Sequence, residues 1–318
     1  MQFRTQIPII KSNQILNYDS KIVSLGSCFA INISKKLDYF KFQNYCNPFG
    51  ILYHPVAIEN LISRVVNKKY FTENDLFFYN EQWHCFEVHS ELNTLDKKKL
   101  LADLNLRLEK TRIHIVEASH IIITYGTSWV YRNLERNEMV ANCHKMPQKL
   151  FSKELLSVEM ISNSVQSTID LINSINKNVK FIFTISPVRH IKDGFFENNV
   201  SKGHLFSATN LIVNASNAKE NISYFPSFEI MMDELRDYRF YADDLLHPSP
   251  LAIDYIWDYF KKSLISKAIF EIMDEVEHIQ KALLHKPFNP SSENHQKFLE
   301  VLQSKIAKLQ EQFLNFQF

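Results

Sequence analysis

Short, β-branched apolar runs that stop at a turn residue recur along the first two thirds of the chain. Lys21-Ile22-Val23-Ser24-Leu25 stops at Gly26, His120-Ile121-Ile122-Ile123-Thr124-Tyr125 stops at Gly126, Val179 to Ile185 stops short of Pro187, and Ile222 to Phe225 stops at Pro226. Runs of this length and punctuation predict strands buried on both faces. Between them the apolar period lengthens. Phe29, Ile33, Leu37 and Phe40 recur every three or four residues behind the first run, and helical patterns also cover residues 54–66, 94–117, 152–176 and 201–217. Strands alternating with helices predict the α/β class: a three-layer α/β/α body around a mostly parallel sheet. Residues 42–45 offer a fifth strand, and the aromatic-rich stretch 71–88 a hairpin decorating the sheet.

Beyond Leu264 the pattern becomes purely helical. Ile269, Ile272, Val276, Ile279 and Leu283 form one stripe, Phe298, Leu302, Ile306, Leu309 and Phe313 another, and His285-Lys286-Pro287-Phe288-Asn289-Pro290 separates them. The expected organisation is an α/β domain over residues 1–265 and a helical extension over 266–318. So short a hairpin buries its own stripes poorly, so it is expected to pack on the body or on a second copy of the chain, giving a homo-oligomer.

Composition narrows the partners. The 318 residues carry 36 Lys+Arg against 35 Asp+Glu, a formal charge of +1, which leaves no electrostatic case for nucleic acid or an anionic membrane. No uncharged apolar run approaches the ~18 residues of a membrane span, and Met1-Gln2-Phe3-Arg4 does not open a signal peptide, so a soluble, cytoplasmic protein is expected. The four cysteines, Cys28, Cys46, Cys85 and Cys143, lie far apart without a CxxC pair, and no HxxxH spacing occurs. Reduced thiols, no metal and no cofactor are expected. Only five glycines are present where average usage near ~7% would give about 22, so each marks a place that tolerates no side chain.

Ligands of open parallel sheets gather at the carboxyl ends of the strands, which makes the residues after each run the candidates for chemistry. Cys28 follows Gly26-Ser27 at the first turn of a helix, where the macrodipole favours thiolate; otherwise it is a small buried residue behind a capping Ser27. Ser249 and Pro250 read as N-cap and N1 of a later helix, which places His247 just ahead of a helix N-terminus, a setting that keeps imidazole neutral and able to act as a base. Asp244, three residues earlier, can fold back onto its other ring nitrogen. Arg189 and His190 follow the third strand on the ligand side and can hold a polar substrate group; equally, Arg189 can close a salt bridge on the sheet rim. His54 and Asn142 are candidate site walls. Trp129 and Tyr131 suit a sugar ring, or the core.

Leu25-Gly26-Ser27-Cys28-Phe29-Ala30 and Asp244-Leu245-Leu246-His247-Pro248-Ser249 together resemble the GSCFA family, and the wider arrangement over about residues 1–290 is similar to the SGNH (GDSL-like) hydrolase superfamily. That resemblance implies the SGNH fold and an acyl-ester hydrolase or O-acyltransferase acting on small acyl groups of a carbohydrate or similar hydroxylated compound. The superfamily's nucleophilic Ser matches Cys28, so the acyl-enzyme would form on Cys28 or, one place earlier, on Ser27, or the chain would have lost hydrolysis. His247 matches the base and Asp244 its orienter. The oxyanion glycine matches Gly50, and the Gly-x-Asn block matches Gly126-Thr127-Ser128, with Ser128 in place of the amide. The expected oxyanion donors are the N–H groups of Cys28 and Gly50 and the Ser128 hydroxyl. The alternative is a non-catalytic ligand-binding or assembly module that keeps the fold.

Overall fold

The computed structural model describes residues 5–215 and 221–318. Met1 to Arg4, on which the leader expectation rests, and the last two residues of the expected 201–217 helix lie outside that range. The elements run β1 (Lys21–Gly26), α1 (Cys28–Tyr39), β2 (Gln43–Cys46), α2 (Pro55–Val66), β3 (Leu76–Tyr79), β4 (Gln82–Cys85), α3 (Lys97–Glu117), β5 (His120–Tyr125), β6 (Trp129–Asn133), β7 (Glu138–Val140), β8 (Phe151–Leu155) and α4 (Val158–Ile175). They continue with β9 (Lys180–Ile185), α5 (Phe195–Val213), β10 (Ile222–Phe225), a short α6 (Ser227–Glu229), α7 (Pro250–Leu264), α8 (Phe270–Leu283) and α9 (Glu293–Gln312).

The four apolar runs and the edge strand β2 pair in parallel in the order β10-β9-β5-β1-β2, giving the α/β class expected from their alternation with helices. Their side chains alternate between two cores. Val23, Ile121, Ile123, Phe181 and Phe183 face α2, α3, α4 and α5, while Ile22, Ile122 and Ile182 face α1 and α7. Strands covered on both sides carry no polar face, which is why they read as continuous apolar runs. Chain order reverses between β1 and β5: the path steps from β1 to β2 on one side and then returns to β5 on the other. Such a switch leaves a crevice at the carboxyl ends of the two strands, since their following connections diverge to opposite faces.

The helical extension packs on the body. Met273, Val276 and Ile279 of α8, Leu302, Ile306 and Leu309 of α9, and Phe316 join the same core as Tyr18, Phe42, Phe40 and Trp257. The chain thus covers most of both stripes itself, with Leu283 and Phe298 left exposed.

Two parts of the pattern are organised differently from the expectation. The helix expected over 152–176 begins only at Val158, because Phe151–Leu155 is drawn into an antiparallel sheet of order β7-β6-β8. The helix expected from 201 begins at Phe195. The 71–88 hairpin forms as β3 and β4. No helix among the described residues is long and apolar enough to cross a membrane.

Gly26 ends β1 at φ +126°, and a Cβ there would lie 2.1 Å from the Thr124 carbonyl oxygen. The Asn47 side chain brackets the same residue, accepting from Gly26 N–H at 2.8 Å and donating to its carbonyl at 3.1 Å. Gly26→Ala should therefore destabilise by on the order of 3 kcal/mol or more. Gly203 corrects the expectation that every glycine excludes a side chain: it lies inside α5 with open space around its Cβ, and Gly203→Ala should stabilise by roughly 0.5–1 kcal/mol. Urea unfolding of the two variants checks both signs.

Candidate active site

The turn after β1 delivers Ser27 and Cys28 to the crevice with different fates. Ser27 is fully buried; its N–H donates to Thr124 O at 2.9 Å and its hydroxyl caps α1, accepting from Phe29 N–H at 3.4 Å. A hydroxyl so enclosed does not meet substrate, which corrects the expectation that Ser27 could serve as nucleophile. Cys28 lines a cleft of about 560 Å³. Burial pushes its thiol above the ordinary value, opposed by the Lys202 ammonium and by the N–H groups of Phe29 and Cys28, with the Asp244 carboxylate adding to the rise. Expected dipole-driven thiolate is therefore outweighed by desolvation.

His247 lines the same cleft. Its Nδ1 is 2.5 Å from Asp244 Oδ2, while the N–H groups of Leu246 and His247 both donate to Asp244 Oδ1 at 2.9 Å. These backbone donors, the His247 N–H first, hold the Asp244 carboxyl at about 2. Asp244 is thus an anion that fixes Nδ1–H and leaves Nε2 as the basic nitrogen. Ser249 caps α7 as the motif predicts, its hydroxyl accepting from Ala252 N–H at 3.4 Å.

Of the other expected site residues, His190, His54 and Asn142 line the cleft, together with Tyr53, Thr127, Trp129, Tyr131 and Lys153. Burial first, then the Lys202 and His247 charges, lowers His190 to about 4, and its buried Nε2 has no hydrogen-bond partner among the described residues. His54 is a wall rather than a ligand group: Nε2 is 3.1 Å from Val140 O and Nδ1 accepts from Ala57 N–H, which spends both nitrogens.

Three expectations are corrected. The N–H of Gly50 donates to Asn47 O at 2.8 Å, closing the turn after β2, so it is not available to an oxyanion. Ser128 is fully buried, and its hydroxyl donates to Ser201 O at 2.9 Å, pinning the β5–β6 loop to α5. Arg189 donates to Leu245 O at 2.5 Å and stacks 4.6 Å over Tyr241, holding the loop that carries His247 instead of reaching substrate. Gly126 stays at the crevice, where a Cβ would lie 3.3 Å from the Ser27 Cβ and from Tyr53. Its N–H donates to Tyr53 O, so its contribution is close packing.

Two functional candidates escaped the sequence reading. Tyr53 lines the cleft beside His190, and burial with the nearby Cys28 charge raises its phenol, which keeps it a donor. Lys202 is buried, with its Nζ on the carbonyls of Gly126 and Ser186, and lowered to about 7 by burial, with the Cys28 charge opposing. Its position on the α5 stripe of Asn198, Ser201, Leu205, Ala208 and Ile212 was the available signal.

The chain belongs to the GSCFA family: the family profile matches residues 21–260, and that of the C-terminal domain of GSCFA-domain proteins matches residues 276–318. No curated protein matches it in sequence. Among solved structures, an acetyl xylan esterase from the rumen bacterium Butyrivibrio proteoclasticus is similar over 78% of this chain, at 10% identity and a TM-score of 0.39. The similarity spans 65% of that enzyme's length.

His54, His120, His144 and His190 are each lowered to about 4, all chiefly by burial. The unfolded chain therefore binds more protons than the fold between about pH 6.5 and 4, and stability falls as pH drops through that window, by up to ~1.4 kcal/mol per pH unit for each group. Urea titrations at pH 7, 5.5 and 4.5 should show this loss. His54→Asn, which keeps an N-cap acceptor, should make the slope shallower.

Proposed function

We propose that this member of the GSCFA family is an acyl-ester hydrolase or O-acyltransferase whose acyl-enzyme forms on Cys28. The observation that carries the reading is a thiol and an Asp-oriented imidazole facing one cleft at the sheet's switch point, with Asp244 Oδ2 on His247 Nδ1 at 2.5 Å. His247 Nε2 takes the thiol proton as the sulfur attacks the ester carbonyl, the acyl–oxygen bond breaks, and the departing alkoxide takes that proton from the imidazolium. A thioester remains on Cys28. His247 Nε2 then takes a proton from water or from an acceptor hydroxyl, which attacks the thioester; the C–S bond breaks and the departing sulfur takes the proton back from His247, restoring the thiol.

Negative charge on the carbonyl oxygen needs donors, and the corrected geometry leaves two. Cys28 N–H stands at the first turn of α1, where backbone donors have no helical acceptor. The Tyr53 phenol, held protonated and close enough to sense the Cys28 charge, takes the place foreseen for Gly50 and Ser128. Small acylated carbohydrates suit the cleft: Trp129 and Tyr131 give it an aromatic wall, with Lys153 over both rings and ion-paired to Asp193 at the rim. His190 and Asn142 supply polar groups for hydroxyls. Transfer and hydrolysis differ only in which hydroxyl reaches the thioester.

One observation favours the second reading, a binding or assembly module that keeps the fold: burial raises the Cys28 thiol above its ordinary value, which disfavours the nucleophilic thiolate. Turnover of 4-nitrophenyl acetate and of acetylated glycosides separates the two. Cys28→Ala and His247→Ala should each lower kcat/KM by about 10³-fold or more, and the double variant by little more, because members of such a unit act together. Tyr53→Phe should lower kcat on the order of 10²-fold, as loss of one oxyanion donor does. An inert wild type that still binds acetylated glycosides would assign the cleft to recognition.

A further inference from the structure

His84 and His144 lie in contact, each 4% exposed, and neither lines the cleft. Their Nδ1 atoms are 3.2 Å apart, His84 Nε2 is 2.8 Å from Tyr79 O, and His144 Nε2 is 2.8 Å from Cys85 O. Each of these three contacts needs a hydrogen. Two neutral imidazoles carry only two N–H groups on four nitrogens, so any choice of tautomers sets two lone pairs against each other in the interior at one contact. A third proton satisfies all three. Among the described residues, the titratable groups around the pair are neutral or already engaged. Burial pushes the Cys85 thiol up to about 12 and the Cys143 thiol up to about 11, Glu87 is ion-paired to Arg64, and the Arg136 guanidinium lies over Phe86. His89 bears on His144 through its charge, and Lys145 follows His144 at the exposed face.

We infer that His84 and His144 hold three protons between them, as one imidazolium bonded to one neutral imidazole, and that this charged pair positions a wall of the cleft. Burial lowers His144 to about 4, against the Cys85 carbonyl and with the His84 charge adding to the fall, so His144 is the neutral member. His84 then donates from both nitrogens, to Tyr79 O and to His144 Nδ1, while His144 Nε2–H donates to Cys85 O. The pair joins β4 to the segment 141–146, of which Ala141, Asn142, Cys143, Lys145 and Met146 line the cleft. His144 and Lys145 stand in the left-handed region at φ +51° and +58°, which non-glycine residues keep only where surrounding contacts hold them. The His144 N–H also donates to Asn142 Oδ1 at 2.7 Å, so the seat of this imidazole sets the direction of a cleft side chain. Loss of the third proton as pH rises turns the Nδ1–Nδ1 contact repulsive and displaces His144, and Asn142 with it. His84 and His144 are thus positioning residues. Their effect on turnover rests on the acyl-transfer reading, whereas the proton count and the wall do not.

The test reads the ring nitrogens directly. Long-range 1H–15N NMR of the full chain labelled with 15N-histidine gives the protonation of each nitrogen without any ester, and the signals lost in His84→Gln and His144→Gln assign the pair. At pH 7.5, where about a tenth of an unperturbed imidazole is charged, three of the four nitrogens should carry a proton and His144 Nδ1 should be the bare one. Only two protonated nitrogens at that pH overturn the inference. Should the variants not fold, the scalar coupling across the Nδ1–H···Nδ1 bond identifies the pair in the wild type, and its absence counts equally against it. As pH is raised until the third proton leaves, the Asn142 side-chain amide should shift with the same midpoint, in the wild type and in His247→Asn alike. An Asn142 amide that stays in place, or whose shift vanishes in His247→Asn, overturns the positioning role. A wild type inert toward esters but with both signals would sink the acyl-transfer reading and leave the His84–His144 pair standing. An active enzyme without them would do the reverse.

Discussion

Backbone meets backbone at the carboxyl ends of β1 and β5, and the crevice follows from that contact. Gly26 brings its Cα so close to Thr124 that any Cβ would overlap the carbonyl oxygen, and Ser27 N–H bonds the same oxygen. Gly126 then packs on Ser27. A side chain at Gly26 would push β1 from β5, and one at Gly126 would press on Ser27 and Tyr53. Lys202 completes the arrangement by joining the ends of β5 and β9 through two carbonyls. Chain-order reversal creates the gap, and these contacts set its width.

Burial governs the electrostatics inside that gap. It raises the Cys28 thiol and the Tyr53 phenol and lowers His54, His190 and Lys202, each change disfavouring charge in a poorly solvated interior. Asp244 and His247 are different because they stand at the rim, with side chains 47% and 45% exposed. Water and two backbone donors keep that carboxylate ionised. The floor therefore favours neutral or mutually compensated groups, while the rim holds the fixed negative charge that orients the imidazole.

Much of this was legible along the chain. Four of the five parallel strands announced themselves as apolar runs, with Gly26, Gly126, Pro187 and Pro226 marking their ends, while the edge strand β2, Gln-Asn-Tyr-Cys, carries no such run. The Asp244–His247 turn was legible too, since Ser249-Pro250 fixes where α7 begins and so how far back the imidazole stands. The β6-β7-β8 wall was not. Phe151–Leu155 pairs with Trp129–Asn133 across an intervening strand, and its own composition suits a helix start as well as an edge strand. Long-range pairing decided between them.

What the sequence by itself determined was the order of strands and helices, the turn that presents Cys28, and the loop that joins Asp244 to His247, because each depends on residues within a few positions of one another. The tertiary structure alone decided which polar groups remain available for chemistry. Ser128 loses its hydroxyl to Ser201, 73 residues away, and Lys202 reaches Gly126 across 76. Gly50 and Arg189 are likewise engaged, one by a turn and the other by the loop it holds. A hydrogen-bonding group is spent or free according to what folding places beside it. Neighbours distant in the chain settle which.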